Sequence, residues 1–273
     1  CGLFKKDESM NRINTVFRRQ KTAFISYLVC GDPDLNTTLK IMHSMVKNGV
    51  DLIEVGIPFT DPIADGPVIQ KGIERALKNR VSLTDVFDLV EKFRKKDETT
   101  PIVLMGYLNP IENMGYRKFS KLAKSKGVDG ILIVDLPPEE SFVINKELIR
   151  NNLSQIFLAS PTTEDKRLKN IIEYSSGYLY YVSLKGITGS SLVDFQPIKK
   201  RIKMIKKLSD NKIPVSVGFG IKTAEAAHKI SLFSDGIIIG SSIVELIEKN
   251  QHNKALMHKK IIKFITSIRS SLG

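Results

Sequence analysis

Residues 50–67 read Val50-Asp51-Leu52-Ile53-Glu54-Val55-Gly56-Ile57-Pro58-Phe59-Thr60-Asp61-Pro62-Ile63-Ala64-Asp65-Gly66-Pro67. An apolar run of strand length is broken by one carboxylate, Glu54. It then passes into a loop carrying three prolines and two further carboxylates, Asp61 and Asp65. An unpaired charge inside an apolar strand costs on the order of several kcal/mol. Glu54 is therefore either half of a structural ion pair or a carboxyl group whose raised pKa suits it to moving protons. The run itself does not choose between them.

Outward from this stretch the same alternation recurs. Runs at 23–29, 50–55, 102–105, 130–134, 155–159, 178–183, 213–217 and 236–239 have strand length and are rich in β-branched residues. Helical periodicity separates them, at 37–47, 69–76, 83–93 with Ser82 as a cap, 116–125, from about 139, 167–174, from about 196, from about 223, and 241–247. A further amphipathic stretch at 5–20 precedes the first run and another at 254–268 follows the last. Strands alternating with helices predict a parallel sheet covered on its outer face. Eight such units in 273 residues fit a closed (β/α)8 barrel better than an open doubly wound sheet. The expected fold is a single-domain TIM barrel over residues 11–273 with an extra N-terminal helix, residues 1–10 being a disordered or appended lead.

Composition narrows the function classes. With 42% apolar and 26% charged residues the chain matches a soluble globular protein with a sizeable core. No apolar run approaches the roughly 18 residues that span a bilayer, and residues 1–20 lack a secretory pattern. Cys1 alone fits a lipoprotein start, but nothing else suits a membrane anchor. The net charge of +13 invites a nucleic-acid reading. The lysines are nevertheless spread over many predicted helices, without a basic arm or interleaved aromatics, so a solvated surface is expected and no nucleic acid. Two cysteines, Cys1 and Cys30, form no spaced set, which points to a reducing, cytoplasmic compartment. His43, His228, His252 and His258 fall on predicted helices or a polar linker and read as solvated. No cluster has metal spacing, and no glycine fingerprint follows the first strand.

In such a barrel, chemistry gathers at the C-terminal strand ends. Tyr27 and Cys30 close the first run, Glu54 and Asp65 the second, and Met105 and Tyr107 the third; Leu132 lies in the fourth, Tyr180 and Ser183 in the sixth. A carboxylic acid ringed by such side chains would exchange protons with a flat apolar substrate. A second constellation is glycine-rich: Gly218 and Gly220 follow the seventh run, and Gly240-Ser241-Ser242 follows the eighth and opens a helix. Ser242 and Glu245 have capping-box spacing. One Gly-x-Gly pair is more often a tight turn than a site. Glycine turns after the last two of eight strands, with a helix N-terminus, predict a phosphate site.

These residues resemble the tryptophan synthase alpha subunit family. The resemblance rests on Phe24-Ile25-Ser26-Tyr27 with Cys30-Gly31-Asp32-Pro33, on residues 54–67, on Asp135 before its prolines, and on Gly186-Ile187-Thr188-Gly189. Val217-Gly218-Phe219-Gly220 and residues 236–242 complete it. It implies retro-aldol cleavage of indole-3-glycerol phosphate to indole and glyceraldehyde 3-phosphate, without a cofactor in this chain. Glu54 would be the general acid and base, and Asp65 would hold the indole N–H. Tyr27, Met105, Leu132, Tyr180, Thr188 and Phe219 would line the pocket, and Gly189, Gly218, Gly220, Gly240 and Ser241 would hold the phosphate. Thr188 would order against Asp65 as its loop closes. The resemblance also implies a beta subunit, in an alpha-beta-beta-alpha complex, that carries pyridoxal phosphate and receives indole; Asp61, Pro62, Asn109 and Pro137 would face it. Leu184-Lys185 and Cys30 depart from the family's usual residues. Two other readings stand beside this one: another phosphate-binding barrel, which predicts a strand-end lysine or cysteine, and a non-catalytic subunit that activates its partner. Retention of Glu54 and Asp65 speaks against the last.

Overall fold

A strand buried on both faces is stable only where its backbone N–H and C=O groups are all paired, and a closed barrel achieves this by having no edge. The computed structural model describes residues 11–183, 194–218 and 220–272. Strands β1 (Ala23–Val29), β2 (Leu52–Gly56), β3 (Ile102–Gly106), β4 (Gly130–Ile133), β5 (Ser154–Ala159), β6 (Leu179–Val182), β7 (Val215–Gly218) and β8 (Gly236–Ile239) pair in sequence order into a closed parallel barrel. Helix α1 (Arg12–Arg19) precedes β1. Around the barrel follow α2 (Leu35–Lys47), α3 (Pro67–Lys78), α4 (Leu83–Arg94), α5 (Leu108–Met114), α6 (Tyr116–Ser125) and α7 (Phe142–Arg150). Then come α8 (Asp165–Tyr174), α9 (Gln196–Leu208), α10 (Ala224–Ser231), α11 (Ser241–Asn250) and α12 (Lys254–Ser271).

Most boundaries match the sequence reading, and the differences have local causes. Ser82 does cap α4, through a full capping box with Asp85. Helix α5 is not among the helices expected from the sequence; Pro110 sits in its first turn, where its missing N–H costs nothing. The helix expected from about residue 139 begins as a 3-10 turn, Pro138–Glu140, and becomes α-helical only at Phe142. Of the stretch expected at 5–20, residues 11–20 are described, and the helix in them is Arg12–Arg19.

Strand alternation sorts the core into two layers. Ala23, Ile25, Leu52, Val103, Leu132, Ile156, Tyr178 and Ile238 pack together inside the barrel, joined from below by Ile13 of α1. The other parity, for example Phe24, Ile53, Val55, Leu104 and Ile131, packs outward against the helices. Helix α1 closes the lower end: Asn11 Nδ2 donates to Ser154 Oγ at 2.8 Å, and Phe17 lies 5.7 Å from the Tyr178 ring.

Three aspartates just ahead of strands tie neighbouring strands together. Asp51 N–H donates to Phe24 O while its carboxylate accepts from Phe24 N, each at 2.8 Å. Asp129 does the same with Ile102 at 2.9 Å, and Asp235 with Val215 at 2.9 and 2.8 Å. Each carboxylate also meets a cation: Arg269 for Asp51, Arg12 and Arg94 for Asp129, Lys206 for Asp235. A backbone link and a side-chain link to one residue fix register, which hydrophobic burial alone leaves loose.

Removing the carboxylate of Asp129 strands two arginines, one of them nearly buried, and the N–H of Ile102. Asp129→Ala is expected to cost about 3–5 kcal/mol in urea unfolding. Glu225→Ala, at a helical pair with Lys229 whose side chains are 75% and 46% exposed, should change stability far less.

Candidate active site

The parity that sends Leu52 into the barrel sends Glu54 there too, and Glu54 is fully buried. Its Oε1 accepts a short hydrogen bond from the Tyr178 hydroxyl, and its Oε2 has no partner among the described residues. Among the described residues no cation lies close enough to pull its pKa down. Burial pushes that pKa up to about 7, and the Tyr178 hydrogen bond only partly opposes it. The ion-pair reading of Glu54 therefore falls away. What stands in the strand is a carboxyl group that can hold or release a proton near neutral pH.

Asp65 lies in the loop between β2 and α3. Tyr107, just after β3, donates its hydroxyl hydrogen to Asp65 Oδ2 at 2.7 Å and accepts from Ala64 N at 3.0 Å. Burial raises the Asp65 pKa, and the Tyr107 hydrogen bond offsets part of the rise. The two carboxylates converge on the same pair of tyrosines. The Tyr180 hydroxyl is pushed well up by burial and then by the charges of Glu54 and Asp65. Tyr27 is pushed up by burial, then by Asp65 and by Glu54.

The expected pocket residues that are described come together here. Tyr27 is the register partner of Glu54; Met105, half-buried on β3, pairs with Gly56 and with Leu132. Two glycines make room for the tyrosines. A Cβ on Gly56 would collide with the Tyr27 hydroxyl, and one on Gly218 with the Tyr180 hydroxyl. Gly218 is thus first a packing residue, a role its place in a Gly-x-Gly pair does not reveal. Thr188, Gly189 and Phe219, and with them Leu184-Lys185 and the loop 185–191, lie outside the described residues.

The glycine-rich end has the form of an anion site. Gly220 adopts φ +80°, a left-handed conformation that favours glycine. Helix α11 starts at Ser241 with Gly240 as its N-cap and no side-chain cap. The capping box expected from Ser242 and Glu245 does not form, because the helix begins one residue before Ser242. Ser242 Oγ donates instead to Ile221 O at 3.3 Å, and Glu245 pairs with Lys249. The first turn of α11 therefore has no side-chain acceptor, although the Ile243 N–H is taken up by Gly240 O at 2.8 Å. Helix α12 makes the return toward the barrel foot: Lys254 meets Asp34 at the start of α2, and Arg269 meets Asp51 below β2. That leaves α11 as the short extra helix of this barrel class.

Tyr178 and Tyr107 are the site residues missing from the expected set. Tyr178 stands two positions before Tyr180, so strand parity already placed both in the barrel; Tyr107 was noticed only as a strand-end residue. The histidines are less free than expected: His43 stacks on Phe93, His258 contacts Ser44 and His228 contacts Ser271 O, while His252 is exposed. Among the described residues no group of His, Cys, Asp and Glu could hold a metal ion, and no helix is long and apolar enough to cross a membrane. A cavity of about 950 Å³ opens at the opposite end, lined by α1 and the turns before β5, β6 and β7, and neither carboxylate reaches it.

A family model described as tryptophan synthase alpha chain matches residues 13–272. The chain is 48% identical over 256 residues to the tryptophan synthase alpha chain of Neisseria meningitidis serogroup B, covering 93% of this chain and 97% of that one. Tryptophan synthase subunit alpha from Legionella pneumophila str. Paris has a similar structure, with a TM-score of 0.89 and 39% identity over 97% of this chain and 99% of that one. A chain from a study of mutual activation in the tryptophan synthase α2β2 complex of Pyrococcus furiosus gives a TM-score of 0.84 at 35% identity, over 92% and 98% of the two chains.

The raised pKa of Glu54 has a consequence for stability. Between its ordinary value of 4.5 and about 7 the folded protein keeps a proton that the unfolded chain has lost. Stability therefore falls as pH rises through that window, and above it the ionised group costs about 3 kcal/mol. Glu54→Gln is expected to be more stable than the native protein by up to about that amount at pH 8, and by little at pH 5. Urea unfolding at both pH values measures this; an equal difference at the two would show that Glu54 does not titrate there.

Proposed function

Since the chain belongs to the tryptophan synthase alpha chain family, we propose that Glu54 and Asp65 are the groups with which it carries out that family's reaction. It is a lyase that cleaves indole-3-glycerol phosphate to indole and glyceraldehyde 3-phosphate, and it works with a beta subunit that takes up the indole. The observation that carries the assignment is the buried carboxyl of Glu54, raised to about 7 and with one oxygen unpartnered.

Breaking the bond between the glycerol chain and the indole ring requires that the ring carbon first become tetrahedral. Protonated Glu54 delivers a proton to that carbon, and positive charge spreads to the ring nitrogen. Asp65 accepts the ring N–H and stabilises the charge as it forms, which is where a carboxylate lowers the barrier. Glu54, now ionised, takes the proton from the adjacent hydroxyl; the carbon–carbon bond breaks, its electrons restore the aromatic ring, and an aldehyde is released. One proton is given and one recovered, so Glu54 ends as it began. A group that titrates near neutral pH can do both.

The indole ring is assigned to the space among Tyr27, Met105, Leu132 and Tyr180, with Thr188 and Phe219 completing it. The phosphate is assigned to Gly218, Gly220, Gly240 and Ser241, with Gly189. In this reading both proton steps run through Glu54 and need no cofactor in this chain; pyridoxal phosphate is assigned to the beta subunit. One catalytic domain is assigned to residues 11–273, with 1–10 as a lead. The buried thiol of Cys30, unpaired among the described residues, fits a reducing cytoplasm. The rim proposed for the partner carries Asp61 and Asn109, both exposed, with Pro62 and Pro137 half-buried beside them. Hydrogen bonds from Ala64 N to Tyr107 and from Leu108 N to Asp135 link the three loops of that rim.

The purified chain is expected to release indole from indole-3-glycerol phosphate slowly alone and faster with a beta subunit. Glu54→Gln should lower the rate at least about 10³-fold and Asp65→Asn about 10²-fold, with the fold intact by circular dichroism. Undiminished turnover in Glu54→Gln would falsify the assignment.

A further inference from the structure

Asp65 has to hold its carboxylate at one place, yet the backbone around it is poorly restrained by packing. The next residue, Gly66, has nothing within 4 Å of where a Cβ would stand, so no side-chain packing holds it, and only its carbonyl is tied, to the Gln70 N–H at 3.0 Å. Gly66 is also the N-cap of α3 and offers no side chain to the helix. The restraint comes from a residue on the first turn of α3. Gln70 Nε2 donates to Asp65 O at 2.9 Å and to Pro62 O at 3.3 Å, bridging the two ends of the turn that Asp65 N closes onto Pro62 O at 3.1 Å.

We propose that Gln70 is a positioning residue for the cleavage reaction, setting the backbone from which Asp65 reaches the indole N–H. The inference rests on the role proposed for Asp65. Two braces then hold that residue. Tyr107 fixes the carboxylate directly, and Gln70 fixes the main chain behind it. An amide suits the second task because its NH₂ group has two hydrogens for two carbonyl oxygens. A carboxylate of the same length would oppose both, and an apolar side chain would leave both unpaired. The side-chain hydrogen bonds of Gln70 go to the carbonyls of the Asp65 loop, so its effect should appear in turnover more than in substrate binding.

The test is a double-mutant cycle on indole-3-glycerol phosphate cleavage, with Gln70→Met, Asp65→Asn and the double variant. Gln70→Met is expected to lower kcat about tenfold or more while KM changes less than about threefold, as a loosened reacting group requires. In the Asp65→Asn background the same substitution should add no further loss, because nothing remains to be positioned. Gln70→Glu, which keeps the length and a polar end, should lose activity like Gln70→Met and guards against a folding defect peculiar to methionine. If Asp65→Asn is impaired but both Gln70 variants keep kcat within about twofold of the native value, the brace is wrong and the proposed function stands. If the losses multiply in the double variant, Gln70 acts by another route and the inference is overturned. Full activity in Asp65→Asn would remove the role of Asp65 and this inference with it.

Discussion

A carboxyl group inside a closed barrel can keep a proton near neutral pH only where water and cations are held away from it, and the described surroundings of Glu54 meet that condition. Apolar inward residues from β1 to β5 and from β8 pack together in the interior. Below, Ile13 and Phe17 of α1 close the foot of the barrel, and Phe17 packs on the same tyrosine that donates to Glu54. Tyr178 supplies one hydrogen bond, enough to orient the carboxyl but too little to offset its burial. A second strong donor or a nearby cation would have returned the group to the ordinary carboxylate range and left it with no proton to give at pH 7.

The barrel that holds this group is tied together by charge at places where each carboxylate is paired. The aspartates at 51, 129 and 235 sit at strand entries, where helix residues reach them with cations and the neighbouring strand offers a backbone N–H. Glu54 sits two residues inside its strand and is denied such partners. The same residue type therefore serves register at the foot of the barrel and proton transfer near its mouth, and local dielectric and the presence of a cation decide which.

The strand count, the barrel, the two carboxylates and the glycine-rich loops were legible in the sequence because each is a local pattern: an apolar run, a charge inside it, a turn composition. What was not legible depends on residues far apart in the chain. Tyr178 and Glu54 are 124 positions apart and meet across the closed barrel, while Tyr107 and Asp65 are 42 apart and meet through the pairing of β2 with β3. The aspartate ties were missed for the same reason, since an aspartate before a strand reads as a turn residue until its partner strand is known. The misread capping box at Ser242 was a different error. The spacing was right, but the helix had already begun, and capping depends on which residue stands at the boundary.

Helix α1 is made before every residue it rests on. Its neighbour Asn11 bonds Ser154, 143 positions later, and Arg12 pairs with Asp129, 117 positions later. At about 5–20 residues per second, such an interval of synthesis lasts on the order of ten seconds. Throughout that time Ile13 and Phe17 have no barrel to enter. A short helix with an apolar stripe and no docking site is a hazard in a growing chain, and this one carries Arg12, Arg18 and Arg19 beside the stripe. Only Arg12 forms an ion pair among the described residues. The other two arginines stand exposed at the end of the helix, where charge opposes self-association of an undocked apolar stripe whatever the finished fold requires of them.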